Sequence, residues 1–292
     1  MNGNLRRIVL LIPLLIAVSS SAILGQSSKF NQPQAPFHIF GNTYYVGTHG
    51  LSSVLITSAS GHVLMDGDLA ESATLIADNI RSLGFRIEDV KLIVNSHVHF
   101  DHAGGIAELQ RRSGARVVAS PWSAQVLRTG GIGRGDPQSK TLTPIAAVKN
   151  VSAFREGESL HVGDVTVTPH LTAGHTPGGT SWTWKSCEGT QCRDMVYADS
   201  LNPISSPEFK FSQSRDYPNA IADFERSFAF FEATPCDILI TAHPELSGLW
   251  DRLSSRERGL TPDPMVDTGA CRKYAESGRE RLRQRLASER QR

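Results

Sequence analysis

From residue 43 onward the chain alternates short apolar runs with stretches of helical spacing. Thr43 to Val46, Ser53 to Thr57 and Gly61 to Asp66 read as the strands of a meander. Glu71 to Leu83 carries apolar residues at helical spacing and stops at Gly84, and Lys91 to Val94 reads as a buried strand. A short helix over Ile106 to Ser113 ends at Gly114, before a strand at Arg116 to Ala119. A glycine- and proline-containing segment, Gly130 to Pro144, interrupts the alternation. Strands return at Ser159 to Val162, Val165 to His170, Thr180 to Lys185 and Met195 to Ala198. Helices follow at Asn219 to Ala233 and Leu246 to Arg258, with a strand at Asp237 to Thr241 between them. Strand and helix recurring in two halves predict an α/β fold of αββα type: two sheets packed face to face with helices outside. No period of 20 to 50 residues repeats, so a repeat architecture is not expected.

The ends differ from the middle. Arg6 and Arg7, the apolar run Ile8 to Val18 and Ser20-Ser21-Ala22 follow the pattern of a cleaved export signal, residues 1–22, with cleavage between 22 and 25. The run is short for a membrane span. Residues 23–292 are then expected to form one domain in the periplasm, without stable membrane association. Loss of the two arginines takes the 30 basic residues to 28 against 29 acidic, a net charge of −1. That balance gives no electrostatic basis for binding nucleic acid. The arginine-rich tail, Arg272 to Arg292, reads as a solvated helix docked by a narrow stripe of Tyr274, Ala275, Leu282, Leu286 and Ala287.

Four cysteines in an exported chain suggest disulfides. Cys187 and Cys192 flank a turn between two strands. Cys236 precedes a strand and Cys271 opens the tail helix, so a second bridge would tie that helix to the sheet. Other pairings would require distant segments to meet.

The densest chemistry lies in "NSHVHFDHAGG", residues 95–105, directly after a predicted strand. His97 and His99 alternate and can point the same way, while Asp101 and His102 aim at a neighbouring point. Two cations could sit side by side there, and imidazole with carboxylate suits zinc. Further ligands are available at other strand ends: His175 in "TAGHTPGG" and His243 in "LITAHPELSG".

"HVHFDHAGG", "GHTPGG", "YADS" and "ITAHP", in this order, resemble the signature of the metallo-β-lactamase superfamily. The resemblance implies one zinc held by His97, His99 and His175 and a second held by Asp101, His102 and His243. Substrate is not implied by the fold. "VYADSLNPIS", residues 196–205, bears on it: glyoxalase-like members bridge the metals with an aspartate here, whereas the third class B lactamase subclass, B3, carries a serine. Asp199 and Ser200 are adjacent, and one residue of register decides which faces the metals. The segment "FNQPQAPFHIFGNTYYVGTHGLSSVLI" from Phe30, the loop "YADSLNPIS" and the two cysteine pairs resemble subclass B3. Phe30 stands where tryptophan is common, and Asn202 where a serine or threonine often holds the substrate carboxylate.

The resemblance implies hydrolysis of the β-lactam amide of penicillins, cephalosporins and carbapenems by a water activated between two metals, in a monomer. Asp101 is expected to orient that water, and Ser200 and Asn202 to contact the substrate. A related hydrolase of lactones or thioesters is the alternative, favoured if Asp199 bridges the metals. Asp66, in "LMDG", is expected to hold a histidine ring from behind. Gly130 to Pro144 could cover the site, and its "RGD" reads as coincidence. His38, His49, His62, His161 and His170 lack ligand spacing, and the four tryptophans read as core or rim.

Overall fold

The computed structural model describes residues 29–155 and 157–291, and the expected export signal, residues 1–22, lies outside them. Seven strands form the first sheet in chain order: β1 (Phe37–Phe40), β2 (Thr43–Tyr45), β3 (Val54–Ile56), β4 (His62–Met65), β5 (Val90–Val94), β6 (Arg116–Ala119) and β7 (Val151–Ala153). The first four are an antiparallel meander and the last four run parallel. Parallel neighbours need a crossover. It is supplied by α1 (Ala73–Ser82), then α2 (Phe100–Ala103) with α3 (Ile106–Ser113), then α4 (Pro121–Thr129).

β8 (Leu160–Val162), β9 (Val165–Leu171), β10 (Thr180–Glu188) and β11 (Gln191–Ala198) make an antiparallel second sheet. β12 (Ile238–Thr241) joins β11 in parallel after the crossover α5 (Ala220–Ala233). α6 (Leu249–Glu257) and α7 (Ala270–Arg290) complete the chain. No helix among the described residues is long and apolar enough to cross a membrane.

Strand periodicity of two builds three apolar layers. Val63 and Met65 of β4 face the second sheet, where they meet Trp182, Met195, Tyr197 and Ile240. Leu64 between them faces outward with Leu55 and Ile93, onto Ile76 and Ile80 of α1 and Leu109 of α3. In the second sheet Val196, Ala198 and Leu239 face outward onto Phe224 and Phe228 of α5 and Tyr274 and Leu282 of α7. Strands covered on both faces read as unbroken apolar runs, which is why Leu92-Ile93-Val94 lacks alternation. The architecture is the expected αββα sandwich.

Four elements were not expected. α2 is a single turn of four residues, too short to show helical spacing. β7 is an edge strand with two of its three residues exposed, so it carries no apolar alternation. β1 breaks its period at an irregularity between His38 and Phe40. α4 is announced by its cap alone: the Ser120 hydroxyl accepts from the Ser123 backbone N–H, and Pro121 opens the helix. The tail helix docks as expected through Tyr274, Ala275 and Leu282, although Ala287 is exposed.

Both disulfides pair in the favoured way. Cys187 and Cys192 face each other across β10 and β11. Cys236, just before β12, is bonded to Cys271 in the first turn of α7. The two loops differ in length, 5 residues of separation against 35. Loop-closure entropy therefore predicts a loss of about 4 kcal/mol for C236S/C271S but about 2 kcal/mol for C187S/C192S, readable by urea unfolding of the metal-free protein.

Candidate metal centre

The strands β4, β5, β9, β11 and β12 all end at one edge of the sandwich, and every candidate residue lies just beyond such an end. Residues 95–102 leave β5 in a turn pinned from both layers. Trp182 of the second sheet donates its indole N–H to the Asn95 carbonyl at 3.1 Å, and the Thr180 N–H donates to the Ser96 carbonyl at 2.8 Å. From the first sheet comes Asp66, whose backbone sits at φ 59°, a left-handed conformation that aspartate tolerates better than most residues. Its Oδ1 accepts from the Asn95 side-chain amide (3.0 Å) and the Ser96 N–H (2.7 Å). Its Oδ2 accepts from the Ser96 hydroxyl (2.5 Å) and the Tyr197 hydroxyl (2.9 Å). This corrects the expectation for Asp66. With its oxygens committed to the turn, it stands 3.9 Å from the nearest imidazole nitrogen, His102 Nδ1, and holds the loop rather than a ring.

The rings are held by other groups. His97 donates from Nδ1 to Asp199 Oδ1 at 2.6 Å, His99 from Nε2 to Asp136 Oδ2 at 3.0 Å, and His175 from Nδ1 to the Asn202 carbonyl at 2.7 Å. Each ring thereby has one nitrogen left over, and the ligand atoms of these three histidines lie within 4.8 Å of one another. Those nitrogens are His97 Nε2, His99 Nδ1 and His175 Nε2. The Gln138 side-chain amide reaches the last two, at 3.4 and 3.5 Å.

A second cluster adjoins the first. Asp101 Oδ2 stands 3.4 Å from His102 Nε2 and 3.6 Å from His243 Nε2, and those two nitrogens are 3.2 Å apart. Donors bound tetrahedrally to one zinc ion at about 2.0 to 2.1 Å are separated by about 3.3 Å, so this triangle fits the ion. His97 touches both clusters, with its ring centre 4.6 Å from that of His99 and 4.3 Å from that of His102. Five imidazoles and one carboxylate, with no thiolate, form a donor set suited to zinc.

Burial governs their protonation. It drives His97 well below the usual imidazole range, helped by the neighbouring histidines. Burial and His99 push His175 down to about 3, and burial and His102 push His243 down to about 4. His102 runs the other way: burial would lower it, but the charge of Asp101, with Asp66 and Asp68 behind, raises it to about 9. Burial likewise would raise Asp101, yet His102 and His243 hold its carboxyl below the usual range. Burial raises Asp199 well above that range.

Ser200 and Asn202 lie on the same loop as Asp199. The Ser200 hydroxyl is buried and accepts from the Asn202 N–H at 3.3 Å, while the Asn202 carbonyl is the acceptor for His175. Packing is close: a Cβ on Gly179 would stand 2.2 Å from Asp199 Oδ2. Asp136 and Gln138 are contributions that spacing could not reveal. They come from Gly130 to Pro144, which does reach the site. Asp136 is the aspartate of "RGD", and its burial at 2 % exposure removes it from any surface recognition role. Trp122 braces this loop, donating to the Arg134 carbonyl at 3.0 Å. Phe30 abuts the site, its ring centre 5.4 Å from that of His243. His38, His49, His62, His161 and His170 stay outside both clusters, against partners such as Trp250 for His49 and Phe85 for His62.

The sequence pattern of the metallo-β-lactamase superfamily matches residues 46–263. The chain belongs to that superfamily. Among solved structures it resembles the Rm3 metallo-β-lactamase at 56% identity and a TM-score of 0.89, over 91% of this chain and 98% of that one. It resembles MEM-A1, a subclass B3 metallo-β-lactamase from a soil metagenome library, at 52% identity and a TM-score of 0.87, over 89% and 98%. The metallo-β-lactamase SMB-1, solved with 2-mercaptoethanesulfonate, is 44% identical with a TM-score of 0.85, over 89% and 99%. The resemblance to subclass B3 is therefore borne out across nearly the whole described chain.

The unequal protonation has a measurable result. A cation entering between Asp101, His102 and His243 must displace the His102 proton at any pH below about 9, whereas His97 and His175 carry none near neutrality. Zinc competition titrations of the metal-free protein at pH 6 and pH 8 should show affinity at the second site rising by about tenfold per pH unit. The first site should change less.

Proposed function

We propose that this protein is a zinc-dependent β-lactamase of the subclass B3 type, which opens the cyclic amide of β-lactam antibiotics by hydrolysis. The observation that carries the reading is the complete donor set, two adjoining clusters with every first-cluster ring anchored from behind, in a chain 56% identical to the Rm3 metallo-β-lactamase. His97, His99 and His175 would hold one zinc ion, and Asp101, His102 and His243 a second. When bound, zinc supplies Lewis acidity toward the lactam carbonyl and makes water acidic near neutral pH.

The protein's own groups do the positioning. Asp199, Asp136 and the Asn202 carbonyl fix which nitrogen of each ring is free to donate electrons. Asp101 stays ionised, so it accepts a hydrogen bond from the attacking water and orients it. Ser200 and Asn202, on the loop whose Asp199 carboxylate and Asn202 carbonyl hold His97 and His175, would contact the substrate carboxylate. No covalent acyl-enzyme is needed. Asp199 as a bridging carboxylate would have favoured lactones or thioesters, but its Oδ1 is engaged by the back nitrogen of His97. The mature chain, residues 23–292 as one domain, would act as a monomer in the periplasm, where its two disulfides are stable.

The purified mature protein should hydrolyse a carbapenem and a chromogenic cephalosporin, lose that activity to a zinc chelator and regain it on adding zinc. D101A should lower kcat/KM by about a hundredfold or more, since it removes both a ligand and the group that orients the water. Turnover of a lactone or thioester alone, or β-lactam opening that ignores the chelator, would defeat the reading.

A further inference from the structure

The loop from Asp199 to Asn202 supplies two of the three acceptors behind the first cluster, the Asp199 carboxylate for His97 and the Asn202 carbonyl for His175. It is a chain without helix or strand, and its own backbone must be fixed for those acceptors to stay in place. At its start the Asp199 N–H donates to the Ser181 hydroxyl of β10 at 3.0 Å, and beyond the sheet one further side chain holds it. The Tyr274 hydroxyl donates to the Asp199 carbonyl at 2.8 Å and accepts from the Leu201 N–H at 3.1 Å, bracketing Ser200. Tyr274 is buried, at 3 % exposure, and sits on α7, one turn beyond the bridge from Cys271 to Cys236.

One turn further along the same helix, Gly278 provides the seat. Leu201 packs so tightly onto it that a Cβ there would stand 2.9 Å from Leu201 Cβ and 2.9 Å from the Phe228 ring. Glycine in the interior of a helix is unfavourable, so its presence fits a demand for close approach rather than for helix stability. The two contacts grip the loop in different ways: one fixes its polar backbone and the other its apolar side chain.

We propose that Tyr274 is a positioning residue for the first metal cluster, acting through the Asp199 to Asn202 loop, with Gly278 as the surface against which it holds that loop. The proposal rests on the assignment of His97, His99 and His175 as metal ligands. The hydroxyl keeps the Asp199 carboxylate and the Asn202 carbonyl aligned on the two imidazoles, so their free nitrogens converge before any cation arrives. The C-terminal helix, remote in sequence from every ligand, thus sets the geometry of the cluster.

The test compares Y274F, G278A and L282A, the last a cavity variant of a buried α7 residue whose aliphatic side chain makes no hydrogen bond to the loop. Zinc affinity of each metal-free protein is measured by competition with a chromophoric chelator, beside its urea midpoint. Y274F should bind the tightest zinc about tenfold more weakly, within the usual range for groups behind metal ligands. G278A should weaken it as well, although alanine favours the helix, and L282A should lower the urea midpoint with affinity unchanged. Unchanged affinity in Y274F overturns the proposal, and so does an equal loss in L282A, which would assign the effect to helix packing. Failure of the wild-type protein to bind zinc would remove the ligand assignment itself, and the proposal with it.

Discussion

Three hydrogen bonds on the far side of the imidazoles carry the site: His97 to Asp199, His99 to Asp136 and His175 to the Asn202 carbonyl. A neutral imidazole has one donor and one acceptor nitrogen, and nothing intrinsic to the ring decides which is which. A buried acceptor settles the matter, and here it leaves each remaining lone pair aimed at a common point. Burial contributes by stripping protons from His97, His175 and His243, so these donors are ready for a cation. The protein spends folding energy to keep polar groups dry, and gains a site whose geometry precedes its ligand.

That geometry requires both layers of the sandwich. Tyr197 reaches from the second sheet to place its hydroxyl within hydrogen-bond distance of Asp66 and of the Ser52 carbonyl of the first, and Trp182 and Thr180 grip the turn that carries His97. His175 and His243 arrive from strands of the second sheet, while His97, His99, Asp101 and His102 leave the first. A shift of one sheet across the other would separate the clusters. The apolar layer between the sheets, with Trp182, Tyr45 and Tyr197 fully buried, therefore also sets ligand positions.

The linear order of the ligands was readable because metal chemistry restricts residue types and strand ends restrict spacing. His97, His99, Asp101 and His102 fall within six positions, and His175 and His243 follow predicted strands. The groups behind them were not readable in the same way. Asp66 was expected to hold a ring and instead ties down residues 95–96, whereas Asp136 was overlooked inside a loop whose composition suggested only solvent or a cover. A carboxylate that accepts one hydrogen bond obeys no spacing rule, since only the meeting of two distant segments makes it an acceptor.

By itself the sequence determined the elements with strong period, the αββα layering, the donor inventory and the cysteine pairs that local position made plausible, because each depends on residue type and near neighbours. Tertiary structure alone decided that Asp199 stands behind His97, that a backbone carbonyl at Asn202 orients His175, and that Tyr274 of the last helix reaches their shared loop. Those contacts join residues 27 to 102 positions apart. Their distances of 2.6 to 2.8 Å are set by how two sheets and a helix pack, which no local pattern records.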